Sequence, residues 1–78
     1  MSFIFELYYP SPEDKAREAR IMADVSAAGG RLDYREPAPS EGDPICLTFE
    51  FTNREVAESM AMALRRQGEH VEGVSDYA

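Results

Sequence analysis

Seventy-eight residues suffice for one domain with a small core, and 15 acidic against 8 basic residues give a formal net charge of −7. That acidity repels nucleic-acid phosphates and anionic membrane surfaces, so neither is expected as a partner. A single cysteine excludes an internal disulfide, and the first residues hold neither a basic stretch nor a long apolar run, so a cytoplasmic location is expected.

Residues 2–9 read as a strand, because apolar residues recur at every second position. Phe3, Phe5, Leu7 and Tyr9 share one face; Ile4, Glu6 and Tyr8 share the other. Pro10 removes a ladder donor and ends the run. Ser11-Pro12-Glu13-Asp14 predicts a helix start, with Ser11 as N-cap, Pro12 in the first turn and two acids at the positive end of the dipole. The helix is expected to reach about Ala28. Glu13, Arg17, Arg20 and Asp24 make its solvated side, and Ala19, Met22, Ala23, Val25 and Ser26 its packed side. Gly29-Gly30 is the stop.

Arg31 to Glu36 alternates again, with Leu32 and Tyr34 inward and Arg31, Asp33 and Arg35 outward. So short and charged a strand suits a guarded sheet edge. Pro37 to Pro44 is loop by composition, long enough to project and move.

Ile45 to Thr52 is the strongest strand signal in the chain. Ile45, Leu47, Phe49 and Phe51 fall on one face, and Cys46, Thr48, Glu50 and Thr52 on the other. Burial of those four apolar side chains is worth about 6–12 kcal/mol, on the scale of a small domain's whole margin. A second helix starts near Thr52 or Asn53, as a capping box with Glu55 or an Asn cap. It packs through Val56, Ala57, Met60, Ala61 and Leu64, carries Arg65 and Arg66 in its last turn, and closes at Gly68. His70 to Val74 is the last expected strand, with Ser75 to Ala78 frayed.

Strand, helix, strand, strand, helix, strand reads as two worn βαβ halves. The expected fold is α+β: a ferredoxin-like βαββαβ two-layer sandwich, with two helices on one face of a four-stranded antiparallel sheet, in one domain over residues 1–78. The sheet face without helices is then the one surface left for function. Its candidate interface residues are Ile4, Glu6, Tyr8, Arg35, Thr48, Glu50 and His70.

Chemistry has little to build on here. Glu6, Glu50, Glu72 and His70 lack a metal-ligand spacing, so no metal or other cofactor is expected. Cys46 has no basic neighbour to lower its pKa and reads as an inert thiol. No nucleophile elbow, phosphate-cradling glycine loop or His-Glu-x-x-His motif occurs, so catalysis is not expected. The reading is a non-enzymatic protein-interaction domain, pairing with itself as a homodimer or with another protein through the open face or an edge strand.

The alternative is a regulatory domain of ACT type. ACT domains share the predicted topology and bind amino acids at a strand–helix turn, which corresponds here to Tyr9-Pro10-Ser11-Pro12. That turn lacks the family's frequent glycine. Its implied site is the region Tyr9 to Lys15, with the first helix's amides receiving a carboxylate. SPOR domains share the topology too, but their Gln-x-Gly strand signature is absent.

Overall fold

The computed structural model describes residues 1–77. In chain order they form β1 (Ser2–Pro10), α1 (Lys15–Ala27), β2 (Arg31–Glu36), β3 (Pro44–Phe51), α2 (Arg54–Arg66), β4 (His70–Val71) and β5 (Ser75–Tyr77). The result is a small α+β fold of two helices and an antiparallel five-stranded sheet. The sheet order is β2-β3-β1-β4, and β5 also pairs with β1.

Strict alternation in the sequence fixes the two central strands. β1 and β3 pair along their whole length, Phe3 opposite Phe51 through Pro10 opposite Pro44. Phe5, Leu7, Tyr9, Ile45, Leu47, Phe49 and Phe51 all go to one side and are buried. Phe5 stacks on Phe51 at 5.6 Å between centroids and tilts against Phe49 at 5.8 Å. Both helices close over this side, α1 through Ile21 and Val25 and α2 through Ala57, Ala61 and Leu64. The α2 face is the one its spacing predicts, and Asn53 is its cap, accepting the Val56 amide at 3.1 Å.

α1 departs from expectation at its start and in its rotation. Asp14, not Ser11, is the N-cap, accepting the Arg17 amide at 2.9 Å. The Ser11 hydroxyl instead accepts the Gly42 amide at 2.9 Å, and Pro12 lies before the helix. The packed side is Arg17, Glu18, Ile21, Val25 and Ala28, while Ala19, Met22 and Ala23 are exposed. Two β-branched residues four apart set the helix phase, whereas alanines gain too little by burial to compete. The 37–43 segment is also held, through Gly42 to Ser11 and through a Ser40–Asp43 turn, so it folds back rather than projecting.

Both flanking ladders contain one extra residue. In β2, Leu32 faces Phe49 and Tyr34 faces Thr48, so Asp33 is unpaired. Every residue after that bulge changes face. Tyr34, expected inward, stands on the open side. Arg35, expected outward, stands on the helical side. On the other flank, Val71 faces Leu7 and Ser75 faces Ile4. The Glu72 amide continues the ladder to the Glu6 carbonyl at 2.8 Å, which leaves Gly73 and Val74 together opposite Phe5. That extra residue divides the expected His70–Val74 strand, and Ser75 to Tyr77, expected to fray, is paired. Ala78 lies outside the described residues.

Candidate functional site

The side of the sheet without helices presents cross-strand rows. One row runs Glu36, Cys46, Tyr8, His70; the next runs Tyr34, Thr48, Glu6, Glu72; the third runs Arg31, Glu50, Ile4, Ser75. Of the expected interface residues, Ile4, Glu6, Tyr8, Thr48, Glu50 and His70 stand on this face. Arg35 does not. It lies opposite Leu47 and pairs with Glu13 and Glu18 on the α1 side, each at 2.9 Å.

The lower part of the face is satisfied internally. Ser2 donates to Glu50 at 2.6 Å, and Arg31 pairs with both Glu50 and Asp33. The Ser2 hydrogen bond and the Arg31 guanidinium hold the Glu50 carboxyl below its ordinary range. Tyr77, opposite Ser2, has its phenol beside Asp33, whose charge pushes it upward.

The upper part differs. Cys46 and Thr48 form a buried floor of small side chains on β3. β1 contributes Glu6 and Tyr8 beside them, and β2 contributes Tyr34 and Glu36. These four are the corners of a rectangle, with the tyrosines on one diagonal and the glutamates on the other. Tyr34 is 60% exposed, although it belongs to a strand of the sheet. The Tyr8 hydroxyl donates to Glu6 at 3.3 Å, and the Cys46 thiol lies 3.8 Å from the same carboxylate. Hydrogen bonding to Cys46, partial burial and the charge of Glu6 push the Tyr8 phenol up to about 12. Burial, then Glu6, raises the Cys46 thiol. A thiol held protonated beside a carboxylate is a poor nucleophile.

Charge is unevenly balanced across the face. Glu6, Asp33, Glu36, Glu50 and Glu72 stand against one guanidinium, that of Arg31. Arg31 is taken by Glu50 and Asp33, and His70 by Glu72 at 2.9 Å. Among the described residues, Glu6 and Glu36 form no ion pair. No group of three or more His, Cys, Asp or Glu among the described residues is placed to hold a metal, and no helix there is long and apolar enough to cross a membrane.

Sequence reasoning missed Tyr34 and Glu36, since their placement depends on the Asp33 bulge. It also missed Glu69, a nearly enclosed carboxylate between the helical layer and β4. Arg17 and Arg20 pair with Glu69 at 2.7 and 3.0 Å. At the N-terminus of α1, where an ACT-type ligand would bring its carboxylate, Asp14 already holds the Arg17 amide, with Glu13 and Glu18 nearby. A second carboxylate there meets repulsion.

No family model matches the chain, and comparison with curated proteins and with solved structures gives no match.

Proposed function

We propose that this chain is a ferredoxin-like protein-interaction domain without catalytic activity, working through the upper part of its open sheet face. The fold reading treats β4 and β5 as one strand divided by the bulge at Gly73–Val74. Four strands in the order β2-β3-β1-β4, with both helices on one side, then follow. A cytoplasmic setting belongs to the same reading, on the single cysteine.

Tyr34 carries the functional part. An edge strand that only needed to stay soluble would place a charged side chain outward at that position. The bulge instead turns a tyrosine out and a charged arginine in, and tyrosine is enriched where proteins meet. A partner is favoured over a second copy. Face-to-face self-pairing would bring two sets of five carboxylates together against two arginines, which repels at neutral pH.

A photo-reactive phenylalanine analogue placed at position 34, and separately at the exposed Met62 on α2, tests the reading in the cells that make the protein. Defined cross-linked products from position 34 and none from position 62 are expected. Equal products from both positions, or none from position 34, overturn it.

A further inference from the structure

Resting on that reading, we propose that the rectangle of Tyr8, Tyr34, Glu6 and Glu36 over Cys46 and Thr48 receives an arginine side chain from a partner protein. The first ground is charge. Two carboxylates face one small patch without a cation of their own, in a chain of net charge −7. Arg35, which lies between Tyr34 and Glu36 in sequence, is turned to the other side of the sheet and held by Glu13 and Glu18. The patch therefore has no internal counter-charge and is electrostatically complementary to a cation from outside.

The second ground is shape. β2 and β1 are two strand spacings apart, roughly 10 Å, and same-face neighbours along a strand are roughly 7 Å apart. The floor between them is made of a thiol and a threonine, both short and buried. The Tyr8 and Glu6 side chains lean over that floor, the Tyr8 hydroxyl 3.3 Å from Glu6 and the Cys46 thiol 3.8 Å from the same carboxylate, so a flat group can lie on them against the exposed ring of Tyr34. Its edges then meet the Glu6 and Glu36 carboxylates.

A guanidinium fits that arrangement better than an ammonium. It is planar, stacks on aromatic rings, is weakly hydrated, and offers donors in several directions at once. The Glu6 carboxylate is already oriented by the Tyr8 hydroxyl, so less side-chain freedom is lost on binding.

The test titrates the full-length, nitrogen-15-labelled protein with acetyl-Gly-Arg-Gly-Arg-Gly-amide, following backbone amide shifts. Lysine and citrulline versions of the peptide run in parallel. Saturable shifts are expected at Glu6, Tyr8, Tyr34, Glu36, Cys46 and Thr48, weakening as salt is raised. The lysine peptide should bind at least fivefold more weakly, and the citrulline peptide should give no saturable shift. Glu36→Gln should weaken the arginine peptide at least threefold. Glu58→Gln, the same charge change on α2, should leave it within error. Both are exposed positions, so each variant should keep the native spectrum. Equal weakening by the two variants, equal binding of arginine and lysine peptides, or shifts spread over all acidic surfaces overturns the arginine site. If the peptide fails while position 34 still cross-links a partner, only the arginine assignment is lost. If both fail, the interaction reading is lost with it.

Discussion

Arg35 sits opposite Leu47 and turns its guanidinium to the helical side, where Nε and a terminal nitrogen both meet the Glu18 carboxylate at 2.9 Å. Glu18 also accepts the hydroxyl of Tyr9, which itself accepts the Asp14 amide at 3.0 Å. Edge strand, central strand and α1 are thereby joined through one side chain. Arg35→Ala leaves Glu18, only 12% exposed in its side chain, without its cation. The expected cost is about 2 kcal/mol, or roughly 8–16 °C in melting temperature for a domain of this size. A shift below about 3 °C would show that the network contributes little.

The same pair dictates a pH dependence. Hydrogen bonding to Arg35 holds the Glu18 carboxyl below its ordinary value. A depressed folded-state pKa stabilises the fold above the unfolded pKa, about 4.3 for glutamate, and the gain is lost as pH falls through that value and the folded one. Wild type should therefore lose melting temperature more steeply than Glu18→Gln between about pH 6 and pH 3. Parallel curves for the two proteins would exclude Glu18 as a source of the acid sensitivity.

Asp33 is the residue that decides which side Tyr34 and Arg35 occupy. Since it is the unpaired one, deleting it should restore a regular ladder with Leu32 opposite Phe49 and Tyr34 opposite Thr48, every face unchanged. The deletion should fold, losing the Arg31 and Tyr77 contacts at a cost of about 1 kcal/mol or less. Deleting Leu32 instead also removes the extra residue but sets Asp33 opposite Phe49 on the helical side, where Leu32 packs, and should cost at least about 2 kcal/mol. Urea midpoints of the two deletions check this; equal damage would mean that Asp33 is not the extra residue.

The parts of the fold that were legible in the sequence are those where one pattern had no rival. β1 and β3 alternate without interruption, and the α2 apolar positions repeat at helical spacing, so their faces could be read directly. A bulge leaves no such trace. Leu32-Asp33-Tyr34 has the composition of an ordinary alternating strand, and only pairing with β3 shows which residue is extra. The rotation of α1 was hidden by its alanines, which fit either side. Open-face residues on the central strands were therefore recoverable, and those beyond the bulge, Tyr34 and Glu36, were not. Glu69 follows a helix-stopping glycine and precedes a histidine, a context that reads as solvent.

Glu69 is nearly enclosed, at 2% side-chain exposure, with Arg17 and Arg20 as its two cations. Glu69→Ala should cost about 3 kcal/mol, toward the lower end for broken buried pairs, because both arginines reach solvent once released. Arg20→Ala should cost under about 1 kcal/mol, since Arg17 still holds the carboxylate at 2.7 Å and Arg20 is the more exposed. Chemical denaturation of the two variants gives the comparison, and a larger loss in Arg20→Ala would reverse the assigned order.

The turn from α1 into β2 makes the sharpest packing test. The helix ends with Gly29 at φ +90° and two backbone bonds, Gly29 to the Ser26 carbonyl at 3.0 Å and Gly30 to the Val25 carbonyl at 2.9 Å. Gly29 is needed for its conformation, because the left-handed region penalises a side chain. Gly30 is needed for space. A methyl group there would overlap the ring of Phe51, which is itself buried and stacked on Phe5. Each Gly→Ala change should cost about 1–3 kcal/mol, for these different reasons. Phe51→Leu separates them: removing the ring should relieve Gly30→Ala but not Gly29→Ala. The Gly30→Ala/Phe51→Leu pair should therefore fall short of the sum of its singles by about 1 kcal/mol, while Gly29→Ala/Phe51→Leu should add. Additivity in both pairs would mean that the Phe51 ring is free to move aside.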